Sequence, residues 1–252
     1  MATMSLSVHP LDVGDLQLDN TFWVWQTDPG TQVWRPTTAF LILGGAVPVL
    51  VDTSFRSVED ALAKQGLVSR RSEQQSLKSQ LGRFGIEPGD VKLVLHTHLH
   101  MDHAGQDYLL PEATIHVRRA ELQNAAAPNI FPVPFYDRLN IARLVDELFD
   151  RVDVADRDET VLDGIRTRHL PGHTPGHQVV IVDTERGPAV ICGDAAMDLD
   201  VNVRQQIAPG FLDSMGDTMS GLRWLASRDG EGDHVLAAHD AKVFERYPDG
   251  VG

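Results

Sequence analysis

Cysteine is almost missing from this chain. A single thiol, Cys192, stands among 252 residues, so no intrachain disulfide can form and a disulfide-built scaffold is excluded. Basic residues are scarce, 22 against 36 acidic ones for a net charge of −14, which argues against a nucleic-acid partner because phosphate binding runs on clustered Lys and Arg. Only Arg70-Arg71 and Arg118-Arg119 pair up, and such doublets are usually solvated surface. Long apolar runs are lacking too. The longest, Ala39 to Val51, is broken by Gly44, Gly45 and Pro48, and Met1 to Val8 has neither the basic nor the apolar part of a secretion signal. These absences predict a soluble cytoplasmic protein with no membrane partner. The remaining composition, 42% apolar, suits one large globular domain or two small ones, and because no linker separates its halves the chain is expected to form a single domain over residues 1–252.

The patterning reads as strands and helices in alternating blocks. Short strands are expected at Leu6 to Leu11, Thr21 to Trp25, Thr38 to Leu43 and Val47 to Asp52, with Gly44-Gly45 as a hairpin turn. Helical spacing follows from Val58 to Phe84, through Leu62, Leu77 and Leu81, and then Val91 to Leu95 reads as a buried strand running into histidines. Next come a strand at Thr114 to Val117, a helix from Arg118 to Ala126, and a proline-stiffened loop carrying Phe131, Phe135 and Tyr136. A helix with Leu139, Leu144, Val145 and Leu148 on one face leads to a hairpin ladder between Thr160 and Cys192. A helix at Ser214 to Ala226 and a strand at His234 to Ala237 follow. This order predicts a layered α/β unit.

Histidine is in excess where other chemistry-bearing residues are few. Of eleven histidines, five fall between His96 and His116. In His98-Leu99-His100-Met101-Asp102-His103 two imidazoles lie two residues apart and an Asp-His pair follows, just where a buried strand must turn. Imidazole with carboxylate suits Zn²⁺ best, Fe²⁺ or Mn²⁺ less well. Four ligands from one segment exceed the three that a single catalytic zinc takes, so two ions are expected.

The run Thr97 to Gly105 (THLHMDHAG) resembles the signature of the metallo-β-lactamase superfamily, and further stations of that family follow its order. Val51-Asp52-Thr53 is similar to its first motif, Leu170 to His177 (LPGHTPGH) to its third, Cys192-Gly193-Asp194-Ala195 to its fourth, and Ala238-His239-Asp240 to its fifth. The resemblance implies a four-layered αββα sandwich with the site at one edge of two sheets. It implies that His98, His100 and His173 bind one ion, that Asp102, His103 and His239 bind a second, and that Asp194 bridges them, with a hydroxide between the cations as nucleophile. Asp52 and His177 are expected behind the ligands as orienting residues. Asp102 could also pass a proton to a leaving alkoxide. His96 is expected in the core or behind a ligand, His9, His116, His169 and His234 in structural or surface positions, and Cys192 as a buried inert thiol.

Within the superfamily the chain resembles the lactonase branch, the N-acyl homoserine lactone lactonases and 4-pyridoxolactonase. Thirteen residues after His239 leave no room for the helical domain of glyoxalase II type thioesterases, and His100 stands where flavo-diiron members carry a carboxylate. A small-molecule lactone or ester is therefore the expected substrate. A thioesterase, another ester hydrolase or a non-catalytic binding protein are the alternatives, and a monomer or homodimer stays open. Two departures stand out: Met197 occupies the place of a tyrosine common in acyl homoserine lactonases, and Ser54 stands where glycine is commoner. Phe131, Phe135, Tyr136 and Met197 are expected to line the substrate pocket, with Trp23, Trp25 and Trp34 nearby.

Overall fold

The computed structural model describes residues 5–128 and 135–252. Its strands are β1 (Ser7–Asp19), β2 (Gln32–Leu43), β3 (Val49–Val51), β4 (Val68–Arg70), β5 (Leu93–Leu95), β6 (Thr114–Arg118), β7 (Val152–Ala155), β8 (Glu159–Leu162), β9 (Ile165–His169), β10 (Gln178–Thr184), β11 (Gly187–Gly193) and β12 (His234–Ala237). Among the described residues they form a seven-stranded sheet in the order β4-β1-β2-β3-β5-β6-β7 and a five-stranded sheet in the order β12-β11-β10-β9-β8.

The period of two in each strand sorts side chains into separate cores. Phe40 and Ile42 of β2 join Val180 and Val182 of β10 and Ala189 and Ile191 of β11 between the sheets. The intervening Ala39 and Leu41 face the other way, toward helices α3 (Leu77–Gly82), α5 (Arg119–Ala126) and α6 (Arg138–Asp146). On the far side, Val179, Val190 and Cys192 pack against Leu222 and Leu225 of α7 (Met215–Glu231). Two helical layers thus cover two sheets, the αββα sandwich that the sequence predicts. Among the described residues no helix is long and apolar enough to cross a membrane.

Several local expectations are corrected. Thr21 to Trp25 was expected as a strand, yet Asn20–Trp23 is a helical turn, α1. Asp19 caps it by accepting from the Thr21 N–H at 3.0 Å, and a local cap overrides the β preference of the aromatics. β1 runs past Leu11 to Asp19 because a bulge between Asp12 and Asp15, built around Gly14 at φ 129°, bends the strand without ending it. The stretch Val58 to Phe84 is not one helix. After the short α2 (Val58–Asp60) and the turn Ala61–Gln65, Gly66 at φ 71° stops the coil, β4 follows, and Ser76 caps α3. On α6 the buried face is Asn140, Ile141 and Leu144, while Leu139 and Val145 are exposed. The strand β7 was missed, being only four residues long at the edge of the sheet with Asp153 exposed.

Candidate metal centre

The expected ligands come from the ends of strands that terminate on one side of the sandwich. β5 leads into His96 to His100, and the short helix α4 (Met101–Ala104) presents Asp102 and His103. The turn after β9 carries His173, Asp194 follows β11 directly, and His239 follows β12. Gly193 precedes Asp194 at φ 48°, and a Cβ there would lie 2.7 Å from Thr97 Oγ1 and 2.9 Å from His177 Nε2, so only glycine lets this strand end approach the histidine loop.

Two groups result, each with ligand atoms within 4.8 Å of one another: His98, His100, His173 and Asp194 in the first, Asp102, His103 and His239 in the second. In the first group His98 Nε2 and His173 Nε2 each lie 2.9 Å from His100 Nδ1. Asp194 divides its oxygens: Oδ2 is 3.3 Å from His173 Nε2, whereas Oδ1 is 3.1 Å from both His103 Nε2 and His239 Nε2. Asp102 Oδ2 stands 3.5 Å from His239 Nε2 and 3.7 Å from His103 Nε2.

The outer faces of the rings explain their orientation. His173 Nδ1 donates to the Phe211 carbonyl at 3.0 Å and His239 Nδ1 to the Pro36 carbonyl at 2.7 Å. A carbonyl only accepts, so the proton sits on Nδ1 and a neutral ring turns a bare lone pair inward. His103 Nδ1 meets Asp52 Oδ2 at 2.8 Å. Asp52 also accepts from the Thr97 N–H at 2.8 Å and hydroxyl at 2.7 Å. Burial works against the Asp52 charge, but His103 and His96 outweigh it and hold the carboxyl at about 2.

Asp52 and Ser54 both adopt left-handed backbone, φ 61° and 66°, which accounts for glycine's advantage at the second position. Here the Ser54 hydroxyl, placed 3.1 Å from the Val13 carbonyl and 3.0 Å from the Arg71 guanidinium, anchors the turn instead. Burial pushes His98, His100 and His173 down from the usual imidazole value, and crowding among the imidazoles adds to it. Burial opposes charge on His103 and His239 as well, yet Asp194 and Asp102 overcome it and raise both.

Divalent cations fit this donor set. His103 Nε2, Asp194 Oδ1 and His239 Nε2 are buried and, although each nitrogen lies 3.1 Å from the oxygen, make no well-aligned hydrogen bond, an arrangement costly for protein alone. Lone pairs and carboxylate oxygens facing one another call for positive charge between them.

The remaining expected residues are distributed as follows. His177 belongs to neither group: its Nε2 accepts the Asp194 N–H at 3.2 Å, and burial drives its pKa to about 3. His96 is buried between Asp107 and Asp52, with Nε2 3.0 Å from Asp107 Oδ2. His116 is buried, with Nδ1 3.0 Å from Asp153. Burial also raises the Cys192 thiol. Phe135 and Met197 border the cavity over the ligands, joined by Phe22, Trp23, Leu67 and Phe211. Tyr136 is packed behind His100, ring centroids 4.8 Å apart, with its hydroxyl 2.7 Å from Asn124 Nδ2 instead of facing the cavity. Phe131 lies outside the described residues. Trp25 is exposed, and Trp34 lies under Arg70. Phe22, Leu67, Phe211 and the buried Glu121 were not singled out from sequence, since none stands in a motif. A larger cleft of about 680 Å³ at the opposite end of the sandwich, lined by Gly44, Gly45, Asp163 and Asp183, holds neither ligand group.

Comparison with known proteins agrees with this geometry. A profile of the metallo-beta-lactamase superfamily matches residues 33–204. The N-acyl homoserine lactonase AttM of Azorhizobium caulinodans is 36% identical over 186 residues, covering 71% of this chain and 70% of that protein. AttM of Rhizobium radiobacter is 31% identical over 179 residues, 69% and 68% of the two chains. Among solved structures, an N-acyl homoserine lactone hydrolase with N-hexanoyl-L-homoserine at its catalytic metal centre superposes with a TM-score of 0.80 at 23% identity, over 99% of this chain and 100% of the other. The chain belongs to the metallo-beta-lactamase superfamily.

Proposed function

We propose that this protein is a dinuclear metal-dependent lactonase that opens N-acyl homoserine lactones. The observation that carries the proposal is Asp194, whose two carboxylate oxygens face the two ligand groups separately. The activity of the AttM relatives supports the substrate class. His98, His100 and His173 would hold one ion, Asp102, His103 and His239 the other, and Asp194 both. Such ions, Zn²⁺ by the donor set with Fe²⁺ or Mn²⁺ as substitutes, supply Lewis acidity toward the ester carbonyl and lower the pKa of water.

The chain's own residues do the rest. The apolar wall of Trp23, Phe135 and Phe211 seats the acyl part and keeps bulk water out. The Asp102 carboxylate borders the same cavity. As the water oxygen bonds to the carbonyl carbon and the ring C–O bond breaks, Asp102 relays the proton released by the water to the departing alkoxide. The product is the ring-opened hydroxy acid.

Elemental analysis together with a panel of lactones, thioesters and a cephalosporin tests this reading. Close to two ions per chain, lactone hydrolysis above the other classes, and loss of activity with a chelator are expected. One ion or fewer at full activity would sink the dinuclear reading, and faster thioester hydrolysis would sink the lactonase reading.

A further inference from the structure

Glu121, in the first turn of α5, is 1% exposed, and among the described residues no cation pairs with it. A buried carboxylate without a counter-ion persists only if hydrogen bonds satisfy it. Its Oε1 accepts the Leu99 N–H at 3.0 Å, and its Oε2 accepts the Thr174 hydroxyl at 2.5 Å. The Gly176 N–H donates to the same carboxylate, and the Tyr136 hydroxyl stands 3.5 Å from Oε1.

These partners share a location. Leu99 lies between His98 and His100, Thr174 follows His173, and Tyr136 packs on the rear of His100. One carboxylate therefore touches both chain segments that deliver the three imidazoles of the first group, yet it contacts none of those rings. The fit is close: a Cβ at Gly176 would lie 2.0 Å from the Glu121 backbone nitrogen, so the His173 loop rests directly on the start of α5. The second group has no such tie, since its His103 and His239 are held by Asp52 and the Pro36 carbonyl.

We propose that Glu121 is a positioning residue that sets the spacing of His98 and His100 against His173 by bonding Leu99, Thr174 and Gly176 at once, and so governs retention of the ion in the first group. The proposal rests on the metal-centre reading above. Gln178 ties the far end of the His173 turn to Thr97 and His96, but without the carboxylate the stretch carrying His173 itself loses its direct tie to Leu99, and more of the cost of ordering the imidazoles falls on metal binding.

The test uses the full chain with Glu121→Gln, Thr174→Val and Thr174→Ser. Zn²⁺ affinities are read by competition with a chromogenic chelator, and site geometry by the visible absorption of the Co²⁺-loaded protein. Glu121→Gln should weaken one of the two ions by about 10–100-fold, the usual scale for a residue orienting metal ligands, and shift the Co²⁺ bands. Thr174→Val should weaken the same ion by a smaller factor, and Thr174→Ser should restore it.

Wild-type Zn²⁺ affinities in a folded Glu121→Gln overturn the proposal. So does a lower melting temperature of the metal-free variant with unchanged affinities, which marks a structural role only. If Glu121→Gln does not fold, the threonine pair decides, and a serine variant no better than valine counts against the proposal. Wild-type protein that takes up no Zn²⁺ fails the metal-centre reading itself, a result distinct from equal affinities in wild type and variants.

Discussion

The two ligand groups meet at Asp194 but are supported differently. In the first, His98 leans on the Thr97 hydroxyl at 3.1 Å and His173 on the Phe211 carbonyl, all neutral partners, and the rings sit where burial and one another's presence disfavour protons. In the second, His103 is backed by the Asp52 carboxylate, and His103 and His239 both face Asp102 and Asp194, which favour positive charge there. The first group depends on placement, the second on charge. Loss of a ring or of its support should therefore show as metal loss in the first, and loss of a carboxylate as impaired chemistry in the second.

The largest effect is expected from His173→Ala. Removing this imidazole should cost about one ion per chain and lower kcat/KM by roughly 10³-fold, the several kcal/mol that a Lewis acid supplies. His177→Ala, which deletes only the acceptor for the Asp194 N–H, should keep both ions. Metal analysis of the two variants decides between neighbours four residues apart. Equal loss in both would move His177 into the ligand set and dissolve the distinction drawn above.

Asp102→Asn probes the second group with a smaller effect. The amide keeps the size and one coordinating oxygen but cannot relay a proton, so kcat should fall by about 10²-fold while circular dichroism and the first ion stay unchanged. Native turnover in this variant would take Asp102 out of the proton path. Loss of both ions would show that the groups are not separately supported.

The ligand segment was legible because its information is local: the H-x-H-x-D-H register follows a buried strand, the turns carrying His173 and Asp194 are marked by glycine or proline, and His239 directly follows the apolar run Val235 to Ala238. The layered fold was legible for the same reason, from runs such as Ala39 to Leu43 whose alternate residues serve two cores. Glu121 was not legible. In Arg118 to Asn124 it reads as one more charge on a polar helix, and its partners stand 22 and 53 residues away. The turn Asn20–Trp23 was hidden by its β-prone composition, although Asp19 carries the cap signal. The pocket aromatics Phe22 and Phe211 are brought together only by the fold, with ring centroids 6.0 Å apart.

The smallest expected effect lies outside both groups, in the wall above them. Phe135 stands 4.3 Å from Phe211, 5.8 Å from His100 and 6.2 Å from Phe22 by ring centroids and borders the cavity, where it would meet the acyl part of the proposed substrate. Phe135→Ala should raise KM by about tenfold at most, the worth of roughly 1 kcal/mol of apolar contact, with metal content and kcat near wild type. Met197 on the same wall is buried among Leu16, Trp23 and Phe55 and brings no hydroxyl to the lactone carbonyl. The cavity over the proposed ligands is walled by Phe22, Trp23, Phe135 and Phe211, so a long acyl chain meets stiff aromatic rings. Short-chain or aromatic-fused lactones should accordingly exceed long-chain acyl homoserine lactones in kcat/KM, and Phe135→Ala should narrow the gap. If the long chain is preferred by tenfold or more, the wall opens as a channel and Phe135 belongs to its lining. If Phe135→Ala also sheds an ion, the wall is part of the first group's support, and the separation between placement and substrate contact fails at this residue.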